Sequence, residues 1–235
     1  MAEKKPKRKE LLNEPDEFIT WSTRIIEFVQ RNQRATAIGA AVFVLVILAS
    51  FVYYGYQSRR QATSHEMLET AIRSYEKLAA SENPKNSSAN DKLFDIFRKI
   101  SRDYSDLPSG QIAILYEGHI LFNKGDFKGA LDKYNQFQSS ILARKGLGPL
   151  ALYNMAQSEM ALKDYEPAIN LFDQLTRDIN SPYRREAYSS IARIYEMMEK
   201  KKEAAQAYKQ YLKVFPEAPD ADFVKTKIAQ LSEQG

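Results

Sequence analysis

The amino-acid sequence predicts an all-α protein, in which a single N-terminal transmembrane helix precedes an α-solenoid of stacked helix hairpins. Three observations support this fold class. Residues 35–58 contain no charged side chain, whereas 27% of the whole chain is charged. A spacing of small and aromatic residues recurs three times after residue 110. Beyond residue 107, no segment shows the alternation of apolar and polar residues that is typical of a strand.

The uncharged stretch over residues 35–56 is long enough to cross a bilayer as a helix. At about 1.5 Å per residue it would measure roughly 33 Å, and the hydrocarbon core of a bilayer is about 30 Å thick. A buried helix of a soluble protein is the alternative, but residues 40–49 have no polar side chain on any face. The leader is too long for a cleaved signal peptide, and residues 48–50 form a poor cleavage site. We therefore expect an uncleaved transmembrane signal anchor.

The segment before the anchor divides into two parts. Residues 1–15 are predicted to be a disordered basic tail, and residues 16–34 an amphipathic helix that lies in the membrane interface. In that helix, Trp21 would anchor the interface and Arg34 would lie near lipid phosphates. The alternatives are a helix that packs on a partner protein and one that continues into the anchor.

After the apolar core of the anchor, the residues predicted to face the membrane interface are Tyr53, Tyr54, Tyr56, Arg59 and Arg60.

The charges nearest the anchor do not decide its orientation, because Lys and Arg residues flank it on both sides. Translocating the N-terminal tail would carry its many positive charges across the bilayer, which the positive-inside rule disfavours. The sequence therefore predicts that the tail stays on the inner side and that the C-terminal body lies outside.

The part of the chain after the anchor is predicted to be a stack of helix hairpins. Residues 57–107 would form a linker helix and a degenerate first hairpin, and residues 108–217 contain three clear repeats. In each repeat a small residue precedes an alanine by twelve positions and an aromatic residue by sixteen. Small residues let the helices approach, the aromatic residue fills the remaining gap, and single hairpins must stack to bury their apolar faces. The small residues are Gly118, Ala156 and Ala192, the alanines are Ala130, Ala168 and Ala204, and the aromatic residues are Tyr134, Phe172 and Tyr208.

The inter-helix turns are predicted at residues 125–127, 163–165 and 200–201. The repeat period is 38 and then 36 residues, which stretches the connections at 139–148, including a flexible link at 146–148, and at 178–182. Residues 218–235 are predicted to be a capping helix with a polar outer face. The pattern resembles the tetratricopeptide repeat (TPR), whose period is about 34 residues. The predicted fold is therefore a TPR-like α-solenoid behind one transmembrane helix.

No catalytic or metal-binding constellation is visible in the sequence. The chain has no cysteine, and its two histidines lie far apart without a metal-ligand spacing. The motifs of a serine nucleophile, a phosphate loop and a dinucleotide site are missing. A net charge of only +4 over the whole chain leaves no basic stripe for nucleic acid. We expect a protein that is not an enzyme, needs no cofactor and binds neither nucleic acid nor a small-molecule substrate.

The resemblance to TPR proteins implies that the first helix of each hairpin lines a protein-binding groove. Its residues would offer an adaptable surface, suited to an extended or helical peptide, although some of them could belong to the core instead. The Lys, Asn and Arg set with which some TPR grooves clamp a C-terminal carboxylate is not expected, because only Asn154 fits it. The implied groove residues are His119, Phe122, Asn123, Tyr153, Gln157, Met160, Arg193, Glu196 and Met197.

The order of basic tail, amphipathic helix, signal anchor and TPR-like body resembles the YfgM-like ancillary subunits of the bacterial SecYEG translocon. The resemblance rests on this order and on the helix–span–helix stretch over residues 16–78. It implies a single-pass protein of the bacterial inner membrane, with a cytoplasmic N-terminus and a periplasmic C-terminal domain. The implied partners are translocon subunits, a periplasmic chaperone, exported polypeptides and membrane lipids. A TPR scaffold for another envelope assembly, such as a secretion, pilus or division complex, remains the alternative.

Overall fold

The computed structural model of the protein describes residues 17–81 and 87–233. Within these ranges the chain is helical and contains no strand, which confirms the all-α prediction. The predicted tail over residues 1–15 lies outside the described residues. The helices are α1 (Glu17–Arg31), α2 (Gln33–Ala79), α3 (Ser87–Asp103), α4 (Pro108–Asn123), α5 (Phe127–Gln138), α6 (Gly148–Leu162), α7 (Tyr165–Arg177), α8 (Arg184–Met197), α9 (Lys201–Val214) and α10 (Ala221–Glu233).

The chain divides into an N-terminal unit up to Arg59 and a C-terminal unit from Arg60 onward. The N-terminal unit contains α1 and the first part of α2. The most apolar window of α2 has a mean hydropathy of 2.6, and none of its residues is buried. The hydroxyl of Ser50 donates to the carbonyl of Val46 at 2.8 Å, so this polar group is satisfied within the helix. By length and composition, α2 is a candidate membrane-spanning helix.

The structure joins two segments that the sequence predicted as separate helices. The predicted anchor (35–56) and the linker helix predicted at the start of residues 57–107 both belong to α2, which runs without interruption from Gln33 to Ala79. The polar residues directly after the anchor, 57–60, include neither proline nor glycine. The i to i−4 hydrogen bonds can therefore continue through the polar link, because nothing in it breaks a helix.

In the C-terminal unit, each helix from α3 to α10 packs against the next one along the chain. The pairs α4/α5, α6/α7 and α8/α9 pack together within the stretch where the sequence predicts three repeats, and α10 packs against α9. The last part of α2 supplies Leu68 and Ala71 to a core shared with Leu93 and Phe97 of α3. We call α4, α6 and α8 the A helices, and α5, α7 and α9 the B helices.

The contact between small and aromatic residues forms as the sequence predicted. A Cβ atom placed on Gly118 would lie 2.6 Å from Cε1 of Tyr134, so only glycine fits beneath this ring. Ala156 and Ala192 occupy the matching positions on α6 and α8 and are fully buried. The alanines and aromatic residues of the B helices are also buried, namely Ala130, Ala168, Ala204, Tyr134, Phe172 and Tyr208.

The three A-to-B turns share one backbone feature. Gly125 (φ 82°), Lys163 (φ 65°) and Glu199 (φ 58°) are left-handed and occupy equivalent positions in their repeats. The third turn therefore begins at Glu199, one residue before the predicted 200–201. In the first turn, the Asp126 carboxylate accepts from the backbone N–H of Gly129 at 3.0 Å and caps α5.

The two stretched connections are more structured than the sequence suggested. Residues Ala143–Leu147 form a π-helical turn before α6, and Gly146 within it has φ 121°. The Gln111 side chain accepts from the backbone N–H of Leu142 at 3.0 Å, which ties this connection to the start of α4. In the second connection, Asp178 accepts from the backbone N–H of Asn180 at 3.0 Å and forms an Asx turn. The link predicted over 146–148 consists of the end of the π-helical turn and the first residue of α6.

Candidate protein-binding face

Each A helix carries one stripe of residues at helical spacing, most of which are half-buried or exposed. On α4 the stripe is Ile112, Tyr116, His119 and Asn123, which follow helical spacing and are all half-buried or exposed. Leu115, in contrast, is 4% exposed and belongs to the core. The equivalent residues, at the same helical spacing, are Leu150, Asn154, Gln157 and Ala161 on α6, and Glu186, Ser190, Arg193 and Met197 on α8. We call these twelve residues the A-helix face.

Five of the nine groove residues implied by the TPR resemblance lie on the A-helix face. Asn123, Arg193 and Met197 are exposed, and His119 and Gln157 are half-buried. Arg193 donates to the Ser190 hydroxyl at 2.9 Å, so the buried serine supports the exposed guanidinium. They belong to the face because, on each A helix, they follow the spacing of three or four residues that defines its stripe.

The other four implied groove residues lie at the seam between each A helix and the elements that pack beside it. The ring of Phe122 meets the ring of Phe127 edge-on, with centroids 5.1 Å apart. Tyr153 stacks on Tyr183 with centroids 4.8 Å apart, and Met160 packs with the same apolar cluster. Consecutive residues of a helix are rotated by about 100° around its axis. Phe122 is therefore turned towards the core, whereas the next residue, Asn123, is not.

Glu196 is the charged member of the seam. Its carboxylate accepts from the Tyr208 hydroxyl at 2.5 Å and from the Lys227 ammonium at 2.7 Å. Burial alone would raise the pKa of Glu196, but these two bonds outweigh it and hold the pKa below its usual value. Glu196 therefore joins α8 to α9 and to the capping helix α10.

His119 connects two A helices. Its Nε2 lies 3.2 Å from the amide nitrogen of Asn154 on α6, and its ring lies 5.7 Å from the ring of Tyr134. Burial in this apolar setting lowers the pKa of His119 from 6.5 to about 4. The imidazole is consequently neutral at physiological pH, and the α4 and α6 parts of the A-helix face carry no charge.

Amide and tyrosine groups dominate this uncharged part of the face. Asn123 donates to the hydroxyl of Tyr75 at 3.1 Å, and Gln157 donates to the hydroxyl of Tyr153 at 2.8 Å. The ring of Tyr116 is stacked on Phe97 with centroids 4.8 Å apart. Both amides retain a carbonyl oxygen that can accept a further hydrogen bond, since only their nitrogens are used here. The surface can thus pair with polar groups of a ligand without burying a charge.

Sequence reasoning missed Tyr116 as a member of the face and considered Asn154 only as part of a carboxylate clamp. A usable signal was present, because Tyr116 precedes His119 by three residues and Asn123 by seven.

A cavity of about 550 Å³ adjoins the face at the end of α4. It is lined by Ser87, Asn90, Phe122, Asn123, Lys124, Gly125 and Phe127.

The residues predicted to face the membrane interface differ in their surroundings. Trp21, Arg34, Tyr53, Tyr54, Tyr56 and Arg59 are all exposed. Arg60 is half-buried, and its guanidinium binds both carboxylate oxygens of Asp106 at 2.9 and 3.0 Å. It also donates to the backbone carbonyl of Asp103 at 3.2 Å. Arg60 therefore holds α2 to the connection between α3 and α4.

Among the residues that the structure describes, no group of His, Cys, Asp or Glu could hold a metal ion.

The fold places the protein among TPR-like α-solenoids. A putative kinesin light chain with TPR-like repeats from Podosopora anserina is similar to it, with a TM-score of 0.55, 14% identity, and 74% of this chain and 86% of that chain covered. The BtubC protein of P. vanneervenii has a TM-score of 0.55 at 13% identity, with coverage of 74% and 83%. A TPR protein from Parabacteroides merdae has a TM-score of 0.51 at 20% identity, with coverage of 69% and 61%. At these identities the likeness shows the fold.

The chain belongs to the tetratricopeptide repeat-like domain family, whose model matches residues 27–233. The match includes the apolar part of α2 as well as the repeats. No curated protein matches the chain. The TPR-like fold is typical of protein–protein interaction scaffolds, and proteins with this fold are typically non-catalytic.

Proposed function

We propose that the protein is a membrane-anchored scaffold that binds a segment of another protein on its A-helix face. The apolar part of α2 supports the anchor, since a helix with this hydropathy and no burial would be costly to expose to water. The family and the stacked repeats support the binding function. Protein partners and the lipids around the anchor are then the ligands of this molecule.

The neutral chemistry of the A-helix face carries the proposal. His119 is uncharged, and Asn154, Gln157 and Tyr116 complete a surface of amides and tyrosine on α4 and α6. Such groups make adaptable hydrogen bonds, and aromatic rings supply contact area at a small cost in entropy. An uncharged, extended polypeptide fits this surface better than an acidic or basic motif, because no face residue on α4 or α6 would neutralise a charge.

The finer proposal is that this scaffold stands beside the Sec translocon and receives newly exported chains. The resemblance of its domain order to the YfgM-like subunits supports it. A neutral surface of amides and tyrosine also suits clients of varied sequence, because the polypeptide backbone is common to all of them. In this proposal the anchor lies in the bacterial inner membrane and the repeats lie in the periplasm, where translocon subunits and a periplasmic chaperone are the partners.

A scaffold for another envelope assembly is the second candidate, since the fold alone does not distinguish them. The two proposals differ in the diversity of the partner. A translocon-associated scaffold would bind many unrelated polypeptides, whereas a dedicated assembly scaffold would bind one protein with fixed stoichiometry. The chemistry of the α4 and α6 parts of the face favours the first, because these parts lack the charge pattern that usually selects a single partner.

Photo-crosslinking in living cells tests the proposal. A photoreactive amino acid at position 157 of the full chain should form adducts with translocon subunits and with many exported proteins. The control position is Gln136, which is exposed on the B helix α5 and lies off the A-helix face. Equal adducts from both positions would contradict the assignment of the face. A single adduct from position 157 would favour the dedicated scaffold.

Charging the neutral face provides a matched mutational test. The double variant Asn154→Lys and Gln157→Arg should reduce the adducts that a crosslinker at Asn123 forms by about tenfold, a loss of roughly 1.4 kcal/mol in binding. Asn135→Lys and Gln136→Arg add the same charges to exposed positions of α5 and should change nothing. Tyr153 and Phe122 are poor choices for this test, because both pack in the apolar clusters and their loss would report on folding.

A further inference from the structure

The edge of the C-terminal unit at which the A helices begin carries exposed apolar side chains. Ile141 precedes the π-helical turn and is 48% exposed, and Leu147 ends that turn and is 38% exposed. Ile179 in the second connection is 75% exposed. Most other large apolar residues of this unit are packed in the core clusters. We call residues 139–148 and 178–183 the connection edge.

The two connections lie together at one end of the helices. Consecutive helices of the stack pack against each other as hairpins, so every connection from a B helix to the next A helix lies at the same end. Tyr153, in the second turn of α6, stacks on Tyr183 at the end of the second connection. Gln111, at the start of α4, binds the backbone of Leu142 in the first connection. The exposed apolar residues therefore belong to one edge.

Basic residues accompany these apolar side chains. Arg144 and Lys145 are exposed within the π-helical turn, and residues 139–148 contain no acidic residue. Arg144 donates to the Ser139 carbonyl at 2.9 Å, which is a bond to a neutral group. Arg177 and Arg185 lie beside the second connection, although Asp173 and Glu186 pair with them. The first connection thus combines apolar residues with a net positive charge.

The chain also enters the C-terminal unit at this edge. Arg60 is the first residue of the unit, and it binds Asp106 in the connection between α3 and α4. Ser64, one turn later in α2, contacts the Ser109 hydroxyl at the start of α4 at 3.2 Å. Arg60, where a membrane anchor would end and the repeats would begin, is therefore held at the same edge as Ile141, Leu147 and Ile179.

We propose that the connection edge binds the surface of a bilayer that contains anionic phospholipids. Apolar side chains flanked by Arg and Lys are the chemistry of interfacial membrane contact, where the apolar groups enter the headgroup boundary and the cations pair with lipid phosphates. The inference rests on the anchor of the proposed function, since the anchor supplies the short tether that makes a weak surface contact effective. Contact with lipid at this edge leaves the A-helix face open to its polypeptide.

Lipid-dependent quenching of single labels tests the inference. The chain has no cysteine, so one introduced cysteine can be labelled uniquely in the full protein. Fluorophores at Leu147→Cys and Ile179→Cys report on the edge, and labels at Ile96→Cys and Met197→Cys report on exposed positions elsewhere in the unit. A label at Leu45→Cys reports on the anchor. The protein is reconstituted in vesicles of phosphatidylcholine with or without phosphatidylglycerol, and nitroxide lipids serve as quenchers.

In vesicles with phosphatidylglycerol, we expect the edge labels to be quenched about threefold more strongly than the labels at 96 and 197. The difference should shrink in 0.5 M salt, where the Debye length is only about 4 Å. The double variant Arg144→Glu and Lys145→Glu should abolish it. The matched variant Lys128→Glu and Lys202→Glu changes two exposed lysines at the opposite end of the helices and should preserve it.

Three outcomes would overturn the inference, and they are distinguishable. Quenching at position 45 with none above background at 147 and 179 would show an anchored protein whose edge does not touch lipid. Absence of quenching at position 45 would overturn the anchor itself, and the inference would fail with it. Protection of the edge labels in native membranes but not in vesicles would assign the edge to a protein partner instead of a bilayer.

Discussion

At the scale of single residues, Gly118 shows how closely the helices of a repeat approach. The ring of Tyr134 lies where a side chain at position 118 would be, and that ring is itself 1% exposed and held by its neighbours. The two other repeats have alanine at this position. An added methyl group there would push a buried aromatic ring rather than a flexible surface chain.

Gly118→Ala is expected to lower the free energy of unfolding by about 1–3 kcal/mol, because overpacking outweighs the small gain in helix propensity. Urea unfolding of the full chain in mild detergent, followed by circular dichroism, measures the loss. Gly55→Ala is the control, since a Cβ there meets no atom within 4 Å. A variant at position 118 that unfolds at the same urea concentration as the parent would contradict the packing seen here.

His119 gives the protein a pH dependence with a definite sign. Its pKa is about 4 in the folded protein and 6.5 when exposed, so the unfolded chain binds more protons between these values. The stability that this residue contributes is therefore present above pH 6.5 and is lost as pH falls towards 4. At pH 5 the loss amounts to about 2 kcal/mol relative to pH 7.5.

The expected signature is a stability difference between pH 7.5 and pH 5 that is about 2 kcal/mol smaller in His119→Gln than in the parent. Urea unfolding at the two pH values measures it, and comparison within each variant removes any constant cost of the substitution. His65→Gln serves as the control, because His65 is exposed on α2. If the free energy of unfolding changed with pH equally in the parent and in His119→Gln, the assignment of His119 as a neutral histidine in the folded protein would be refuted.

At the scale of elements, a buried carboxylate links three helices. Glu117 on α4 is 0% exposed; it accepts from the Ser101 hydroxyl of α3 at 2.5 Å and pairs with the Lys133 ammonium of α5 at 2.5 Å. Taking a carboxylate out of water is costly unless it is paired and hydrogen-bonded, and these two partners supply both interactions. The network joins the first hairpin to the first clear repeat.

Removing the Lys133 ammonium is expected to lower the free energy of unfolding by more than the loss of an ordinary surface ion pair would. Lys133→Met should lower the free energy of unfolding by about 3 kcal/mol, because Glu117 would remain buried without its counter-charge. Asp132→Asn alters the charge of the neighbouring, exposed residue on the same helix and should cost less than about 0.5 kcal/mol. Denaturant unfolding of both variants measures the contrast, and equal losses would show that the buried pair contributes no more than a surface charge.

At the scale of the whole molecule, the family match extends across both units of the chain. The match includes the apolar, unburied part of α2. Under the proposed function, the covalent link between that helix and the TPR-like stack raises the local concentration of the binding face close to a bilayer.

The orientation of the anchor can be tested in spheroplasts with the same cysteine-free background. A membrane-impermeant maleimide should label Lys92→Cys, on the exposed surface of α3, in intact spheroplasts. It should label Glu27→Cys, on α1, only after lysis, because the positive-inside rule keeps the tail in the cytoplasm. Labelling of position 27 alone before lysis would reverse the proposed topology and exclude a periplasmic binding face.

Much of the fold could be predicted from the sequence because its determinants are local in each hairpin. The spacing of Gly118, Ala130 and Tyr134 specifies two helices in close contact, and the same spacing in the other repeats identifies the stack. The candidate span followed from composition alone. The continuity of α2 was not predicted, since polar residues after the apolar stretch suggested an end, although none of them breaks a helix.

The candidate site was predicted only in part. His119, Asn123, Gln157, Arg193 and Met197 lie on the A-helix face, whereas Tyr153, Phe122 and the rest of their group pack at the seam. Whether a side chain is covered depends on which neighbouring element lies beside it, and that element is distant in sequence. Tyr183, for example, covers Tyr153 from thirty residues further along the chain.

The sequence by itself determined the helical class, the repeats and the apolar helix, because each depends on residues that interact within one turn or one hairpin. Only the tertiary structure decided which A-helix residues remain accessible, which polar groups are paired in the interior and where the exposed connections gather. Glu117 illustrates the difference: an acidic residue on a helix is usually solvated, and only the arrival of Ser101 and Lys133 from other helices allows this one to be buried.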